Sequence, residues 1–558
     1  MLGLSRFRYV GLGFSCLVAG NLLWTVVRTA SAGAAEGTRD PDAACASCHR
    51  AIYERYRQTP MANASGPASD GFIAADFDHP ASGIHYRITQ ESGQVWLSYE
   101  RNDLTRMLDG RQELRYFLGS GKRGRTYLFE QEGYWFEAPI NWYAKKQVWD
   151  MAPHYLDARE MPLSLPVDPG CLHCHVSGAA SALPDARNHY AGEPFENGGI
   201  TCAACHGDGS VHVASGGKAH MLNINGLEPV RRDSVCLNCH LEGQAVVERL
   251  GKPIETYKPG DDLFEYAQYF VYRGENGSGG RATSQWEALL KSACKQKSGD
   301  KLTCTTCHDP HGSPAQENRV TFYRQRCLGC HTGSEFVERH HPENPDCTAC
   351  HMARPPSNDI AHEQVTDHWI RKRVSQERLA LPTSGELTAV GVRSVSDRDL
   401  GLAYAQMAAR GDQAAGMRAM ELLQRAEKRT LESGKDYELH AQLGFLDQMD
   451  GKTNEAAREY EQALAINGFG ELAAGDLALI AVKRHHAMEA VQLWHEVVEH
   501  DPTQFQAGMN LALTECAEGK RNAASRTLER MLVFAPDAQK ARSFEAQIES
   551  GRQTCGVR

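Results

Sequence analysis

The stretch Cys202-Ala203-Ala204-Cys205-His206-Gly207-Asp208-Gly209-Ser210-Val211-His212 decides how this chain is read. Its first five residues, Cys-x-x-Cys-His, recur seven times, as Cys45/Cys48/His49, Cys171/Cys174/His175, Cys202/Cys205/His206, Cys236/Cys239/His240, Cys304/Cys307/His308, Cys327/Cys330/His331 and Cys347/Cys350/His351. Composition alone would supply on the order of 0.03 such matches. Two thiols three positions apart reach the two vinyl groups of one porphyrin, and the adjacent imidazole reaches its iron. The pattern predicts seven covalently attached haems c, with these fourteen cysteines as thioether donors and the seven histidines as proximal ligands. Structural zinc uses similar cysteine pairs, but does not require a histidine after every second cysteine.

Four of the 18 cysteines stand outside the motifs. Cys16 falls in the N-terminal apolar stretch, and Cys294 reads as a buried thiol. Cys294-Lys295 is not a lysine-ligated haem motif, because residue 291 is Lys. Cys516 and Cys555 complete the set.

Seventeen histidines remain once the seven proximal ones are set aside from the total of 24. They more than cover seven distal positions, so bis-histidine ligation throughout is open but not required. His212 follows the third motif on a glycine-bearing turn, and His311 follows the fifth between Pro310 and Gly312. His341, His362 and His368 flank the last motif, and His79 precedes Pro80 after the first. These six are the distal candidates. Met61 and Met352 lie near motifs as alternative ligands.

The segment Cys45-Ala-Ser-Cys-His-Arg-Ala-Ile-Tyr53 through Met61 resembles the first haem segment of the tetrahaem nitrification-type cytochromes. Cys202 to His212 is similar to a Cys-His-Gly-x-Gly-x-x-His pattern of the same superfamily. Cys304 to Gly312 resembles the doubled-CxxCH cytochromes. The likeness spans roughly residues 40 to 370. It implies that His212 and His311 serve neighbouring haems as distal ligands. The separation of 126 positions from Cys45 to Cys171 departs from the compact tetrahaem pattern, leaving the placement of haem one open.

That gap holds alternating segments. Ile84, Tyr86 and Ile88, then Val95, Leu97 and Tyr99, alternate with polar neighbours, as a half-buried strand requires. Residues 125–129 and 134–140 are also strand-like, so the gap reads as a small antiparallel β-module with Trp96, Tyr127, Trp135 and Trp142 as core. From residue 170 to about 373, six motifs follow at spacings of 31, 34, 68, 23 and 20 residues. Such crowding leaves short helices and loops wrapped round porphyrins.

Beyond a Pro/Ser/Gly-bearing linker, Leu443-Gly444, Leu477-Ala478 and Leu511-Ala512 recur every 34 residues, in phase with Ala456, Ala490 and Ala524. This is the tetratricopeptide period, over 437–470, 471–504 and 505–538, with a degenerate unit around 402–426. Such a solenoid presents a surface for partner proteins.

At the N-terminus, Arg6 and Arg8 precede an uncharged stretch over 9–27 and the small residues Ala30-Ser31-Ala32. This reads as an export signal, with an uncleaved inner-membrane anchor as the competing reading. The expected organisation is mainly α: 1–35 signal or anchor, 36–82 first haem segment, 83–165 β-rich module, 166–380 six-haem region, 381–396 linker and 397–550 repeats. A net charge of -10, from 60 basic and 70 acidic side chains, provides no basic excess for nucleic acid. The expected function is electron transfer in the periplasm or another extracytoplasmic space, with redox partner proteins docked by the repeats. A multihaem oxidoreductase acting on a small nitrogen or sulfur compound at one open-site haem is the alternative, and an assembly scaffold a third.

Overall fold

A computed structural model of the chain describes residues 40–103, 107–162, 165–273, 284–333, 340, 345–354, 366–372, 384–391, 394–429 and 433–556. The proposed signal segment, His341 and His362 lie outside these residues. Among the described residues, no helix is long and apolar enough to cross a membrane.

The alternating segments form strands. Ile84–Glu91 and Gln94–Arg101 pair antiparallel, with Tyr86 opposite Tyr99 and Ile88 opposite Leu97. Their turn is Ser92-Gly93, both at positive φ (52° and 87°), as a two-residue hairpin turn matched to strand twist requires. Ala75–His79 and Leu108–Leu114 complete a four-stranded sheet. A second sheet joins Ser65–Pro67, Tyr116–Leu118, Gly124–Gln131, Tyr134–Glu137 and Leu165–Pro166, with Ile140–Tyr143 and Val148–Met151 at its side. The β-module therefore begins at Ser65 rather than at 83, because residues just after the first motif supply edge strands. Tyr127 and Trp135 are buried core, as expected. Trp96 and Trp142 are half-buried instead; the Arg111 guanidinium covers the Trp96 ring at 4.2 Å.

The motif-bearing region is built of short helices, including Pro169–His175, Cys202–His206, Pro229–His240, Cys304–Cys307 and Cys347–His351. Two small sheets interrupt it, which alternation in the sequence did not signal. Val176–Ala179 pairs with Phe195–Gly198. Ala245–Glu248, Ala267–Tyr272 and Leu387–Ala389 form the other. The last of these strands falls within the expected linker 381–396, so Leu387–Ala389 belongs to a sheet.

Four helix pairs follow: Asp397–Ala409 with Gln413–Arg429, Tyr437–Met449 with Thr453–Ile466, Glu471–Lys483 with Ala487–His500, and Phe505–Ala517 with Arg521–Phe534. The 34-residue register explains their packing. Ala456, Ala490 and Ala524 are fully buried, and Gly444 lies against the Tyr460 ring, where a Cβ would fall 2.6 Å from ring carbon. A final helix, Gln539–Glu549, covers the last pair, and a Cys516–Cys555 disulfide ties the chain end to it.

The solenoid packs on the rest of the chain at both ends. At the first, side chains of Arg398, Gln406 and Arg410 donate to the carbonyls of Glu248, Val246 and Gln244. At the last, Phe534 enters the β-module core beside Tyr134 and Phe136. The Tyr134 hydroxyl donates to the His500 carbonyl at 2.9 Å.

Candidate functional site

A single helical turn explains the motif geometry. Residues i, i+3 and i+4 share a helix face, so both thiols and the imidazole of a Cys-x-x-Cys-His turn project the same way. The closing bonds are present: the amides of His49, His308 and His331 donate to the carbonyls of Cys45, Cys304 and Cys327 at 2.8, 3.0 and 3.0 Å. Asp168 and Asp346 cap two of these turns by accepting from the amides of Gly170 and of Thr348 and Ala349.

The imidazoles are then held from behind. Nδ1 of His175 lies 3.2 Å from the Ala64 carbonyl, that of His212 2.7 Å from Ala219, that of His351 2.6 Å from Arg371 and that of His368 3.0 Å from Thr366. A donor bond from Nδ1 to a carbonyl fixes the tautomer and turns the Nε2 lone pair toward the metal, the support a metal-binding histidine needs. Burial also lowers the pKa of His206, His240 and His368, and takes His308 down to about 4. All four are neutral near pH 7, the form that binds metal.

Four of the motif histidines each lie near a second imidazole ring. His49 faces His212 at 6.4 Å between centroids, His206 faces His311 at 5.9 Å, His308 faces His368 at 6.1 Å, and His351 faces His340 at 5.8 Å. The planes are within 31° of parallel. Two imidazoles bound through nitrogen at about 2 Å on opposite sides of one metal have centroids about 6 Å apart. The residues therefore fit a six-coordinate haem iron at these four places. When bound, haem c supplies a one-electron iron couple.

Cysteines of different motifs also meet. The sulfurs, which stand for thioether sulfurs in the haem-bearing chain, come close together in the pairs Cys45 with Cys202, Cys174 with Cys239, Cys236 with Cys304, and Cys327 with Cys347. The first pair is reinforced by Asp42, which is buried and accepts from the Cys202 amide at 3.0 Å. At Gly199 (φ +68°), a Cβ would lie 2.2 Å from the Ala62 carbonyl oxygen, so only glycine permits this approach. The first motif thus sits beside the third, despite the long insertion between motifs one and two.

The fourteen motif cysteines are not enclosed alike. Eleven are half-buried, whereas Cys48, Cys330 and Cys350 are exposed. Cys330 and Cys350 are the second cysteines of motifs six and seven, and Cys48 is the second cysteine of the first. The reason at Cys330 and Cys350 is local. The helix Arg319–Leu328, which carries Cys327, and the helix Cys347–His351 bury none of their residues among those described. Contact between Cys327 and Cys347 draws the first cysteines together and leaves the second ones facing outward.

Of the six expected distal ligands, His212, His311 and His368 stand beside the motif histidines His49, His206 and His308. His79 does not. It is buried in strand Ala75–His79 with Nδ1 2.8 Å from the Ser82 hydroxyl and Nε2 3.0 Å from the Leu156 carbonyl, which leaves no nitrogen for iron. His341 and His362 are outside the described residues. His340, not singled out from the sequence, is the ring facing His351; only its adjacency to His341 hinted at it. Cys294 is half-buried rather than buried, and the Lys295 ammonium donates to the carbonyls of Gly299 and Leu302.

Comparison with known proteins agrees with this chemistry. A family model described as the doubled CXXCH motif matches residues 297–336, which contain the fifth and sixth motifs. The nine-heme cytochrome c of Desulfovibrio desulfuricans (strain ATCC 27774 / DSM 6949 / MB) is 34% identical over 77 residues, 13% of this chain and 23% of the relative. The chain thus spans under a quarter of that relative's length. Among solved structures, MamA AMB-1 is 23% identical, covering 28% of this chain and 82% of that one at a TM-score of 0.25. A MamA RS-1 ArsTM double mutant is 14% identical, covering 28% and 86%, also at 0.25. Scores this low carry no weight. The doubled motif and the nine-haem relative, set beside the paired imidazoles, support a multihaem c-type cytochrome with covalently bound haem c.

Proposed function

We propose that the chain is an exported heptahaem electron carrier. The observation that carries this reading is the contact network among motifs. The imidazole pairs join the first motif to the segment after the third, the third to the segment after the fifth, and the fifth to the segment after the seventh. The thiol pairs join motifs one to three, two to four, four to five and six to seven. Every motif is connected to every other through such contacts, as an electron path needs.

In this reading His212, His311, His368 and His340 are the distal ligands opposite His49, His206, His308 and His351. Cys330 and Cys350 stay thioether donors despite their exposure, because attachment depends on the Cys-x-x-Cys-His spacing and not on burial. The chain's residues hold imidazole orientation, exclude water from Cys171, Cys174 and their neighbours, and set potential through ligand type and burial. Export agrees with the Cys516–Cys555 disulfide, since such bonds persist in oxidising compartments. Docking of a redox partner protein through the repeats belongs to the same proposal.

Low-temperature EPR of the ferric protein, after a haem-to-protein count, tests it. Seven haems with only low-spin signals are expected. A high-spin signal that shifts with nitrite, hydroxylamine or sulfite, with turnover at that haem, would replace the carrier by an oxidoreductase.

A further inference from the structure

The solenoid contains a polar cluster at His440 that its repeat pattern does not explain. His440 lies in helix Tyr437–Met449 and is 2% exposed. In the 34-residue register, the same position in the next two units is Ala474 and Gly508. Small residues there let paired helices approach. Glu459, on helix Thr453–Ile466, corresponds likewise to Leu493 and Thr527. This unit has therefore placed an imidazole and a carboxylate where its sisters carry small, apolar or uncharged side chains.

The two meet, His440 Nδ1 lying 2.7 Å from Glu459 Oε2. A third group arrives from the preceding unit. Glu427, on helix Gln413–Arg429, completes a set in which one donor atom from each of the three residues lies within 4.8 Å of the others. Three helices thus direct two carboxylates and one imidazole at one half-buried point. Asp447, nearby, is engaged by the Lys452 ammonium at 3.5 Å. Two close carboxylates repel, and burial raises the cost of their charge. A single buried imidazolium would offset part of that cost, and a divalent cation would offset it fully.

We propose that Glu427, His440 and Glu459 form a divalent-cation site of the zinc type, separate from the haem array, which ties the first helix pair of the solenoid to the second. Imidazole nitrogen and carboxylate oxygen are both zinc donors, and three protein ligands leave the fourth tetrahedral position to water. A tetrahedral site with bonds of about 2.0 Å has edges of about 3.3 Å. Side-chain rotation of the two glutamates closes the remaining distance.

The test uses the full-length haem-bearing protein, treated with EDTA, dialysed, and titrated with zinc sulfate by calorimetry. Thermal unfolding of the helical signal is followed in parallel. His440→Ala and Glu459→Leu install the residue types the sister repeats already carry, so both variants retain the helix packing. The wild type is expected to take up one more zinc equivalent than either variant, with a zinc-dependent rise in melting temperature that both variants lose. Zinc K-edge absorption of the wild type should show only N/O donors near about 2.0 Å. Equal zinc uptake and equal melting shifts in wild type and variants would overturn the site, as would no zinc uptake by the wild type.

Discussion

Arg101 and Asp537 meet across 436 residues of chain, with Arg101 Nη1 donating to Asp537 Oδ2 at 2.8 Å. Their side chains are 5% and 1% exposed. The pair joins a strand of the β-module to the turn before the last helix, and the Met161 amide donates to the same carboxylate at 2.9 Å. Removing one member strands a charge in the interior, at about 3–5 kcal/mol. Asp537→Ala is therefore expected to lower stability by about that amount in denaturant unfolding, while the haem count per chain is unchanged. Arg101→Met with Asp537→Leu should recover part of the loss, because replacing both charges leaves none buried. A single variant as stable as wild type would show that the solenoid does not lean on the β-module there.

This contact was not legible in the sequence, and its type explains why. The motifs, the alternation of Ile84 to Tyr99 and the 34-residue period are local patterns, and each describes the residues that display it. Pairing across the chain leaves no such trace. His79 stands among the distal candidates beside His212 until the partners of both its ring nitrogens are seen. His340 carries no motif or turn of its own in the sequence, and its approach to His351 depends on packing between segments. Cys330 and Cys350 have the same motif spacing as Cys174 and Cys239, so their different exposure depends on what packs around each turn. Cys516 and Cys555 carry no spacing that marks them as a pair. Strand Ser65–Pro67 was missed because three residues are too few to alternate, and its hydrogen bonds come from Tyr116–Leu118.

The contrast between His79 and His212 can be measured. His212→Ala removes the ring facing His49 and should convert one low-spin ferric haem to high spin in EPR, with haem content retained through Cys45 and Cys48. His79→Ala should leave the EPR spectrum as in wild type. It instead loses one buried and one part-buried hydrogen bond and lowers stability by about 1–3 kcal/mol. If His79→Ala altered the low-spin signals, the assignment of its ring nitrogens to Ser82 and Leu156 would fail.

Cys555→Ser tests the cover on the last helix pair. The disulfide closes a loop with a sequence separation of 39, and such cross-links contribute about 2–4 kcal/mol. Loss of the bond should free helix Gln539–Glu549 first. Amide exchange over 539–549 is expected to rise before exchange in the β-module does. Uniform exchange increases across the whole chain would mean that this helix and the body unfold as one unit.

Glu471 makes stability depend on pH. It opens the third helix pair beside Asp501, and Gln504 donates to both carboxylates, at 2.6 and 2.9 Å. Burial, then the neighbouring Asp501 charge, raises the Glu471 carboxyl from the ordinary 4.5 to about 8. The folded state therefore holds a proton that the unfolded chain releases near 4.5. Its contribution is fully present below pH 4.5 and is lost as pH rises through about 8. Arg187, which approaches from the motif-bearing region, lowers this carboxyl and so moderates the loss. Glu471→Gln keeps the neutral geometry at all pH values. Compared with wild type, the variant should lose less stability between pH 5 and pH 8 in urea unfolding, and the two curves should converge at the acid end. Parallel curves over that whole range would place the Glu471 carboxyl at its ordinary value and remove it as the source of the pH dependence.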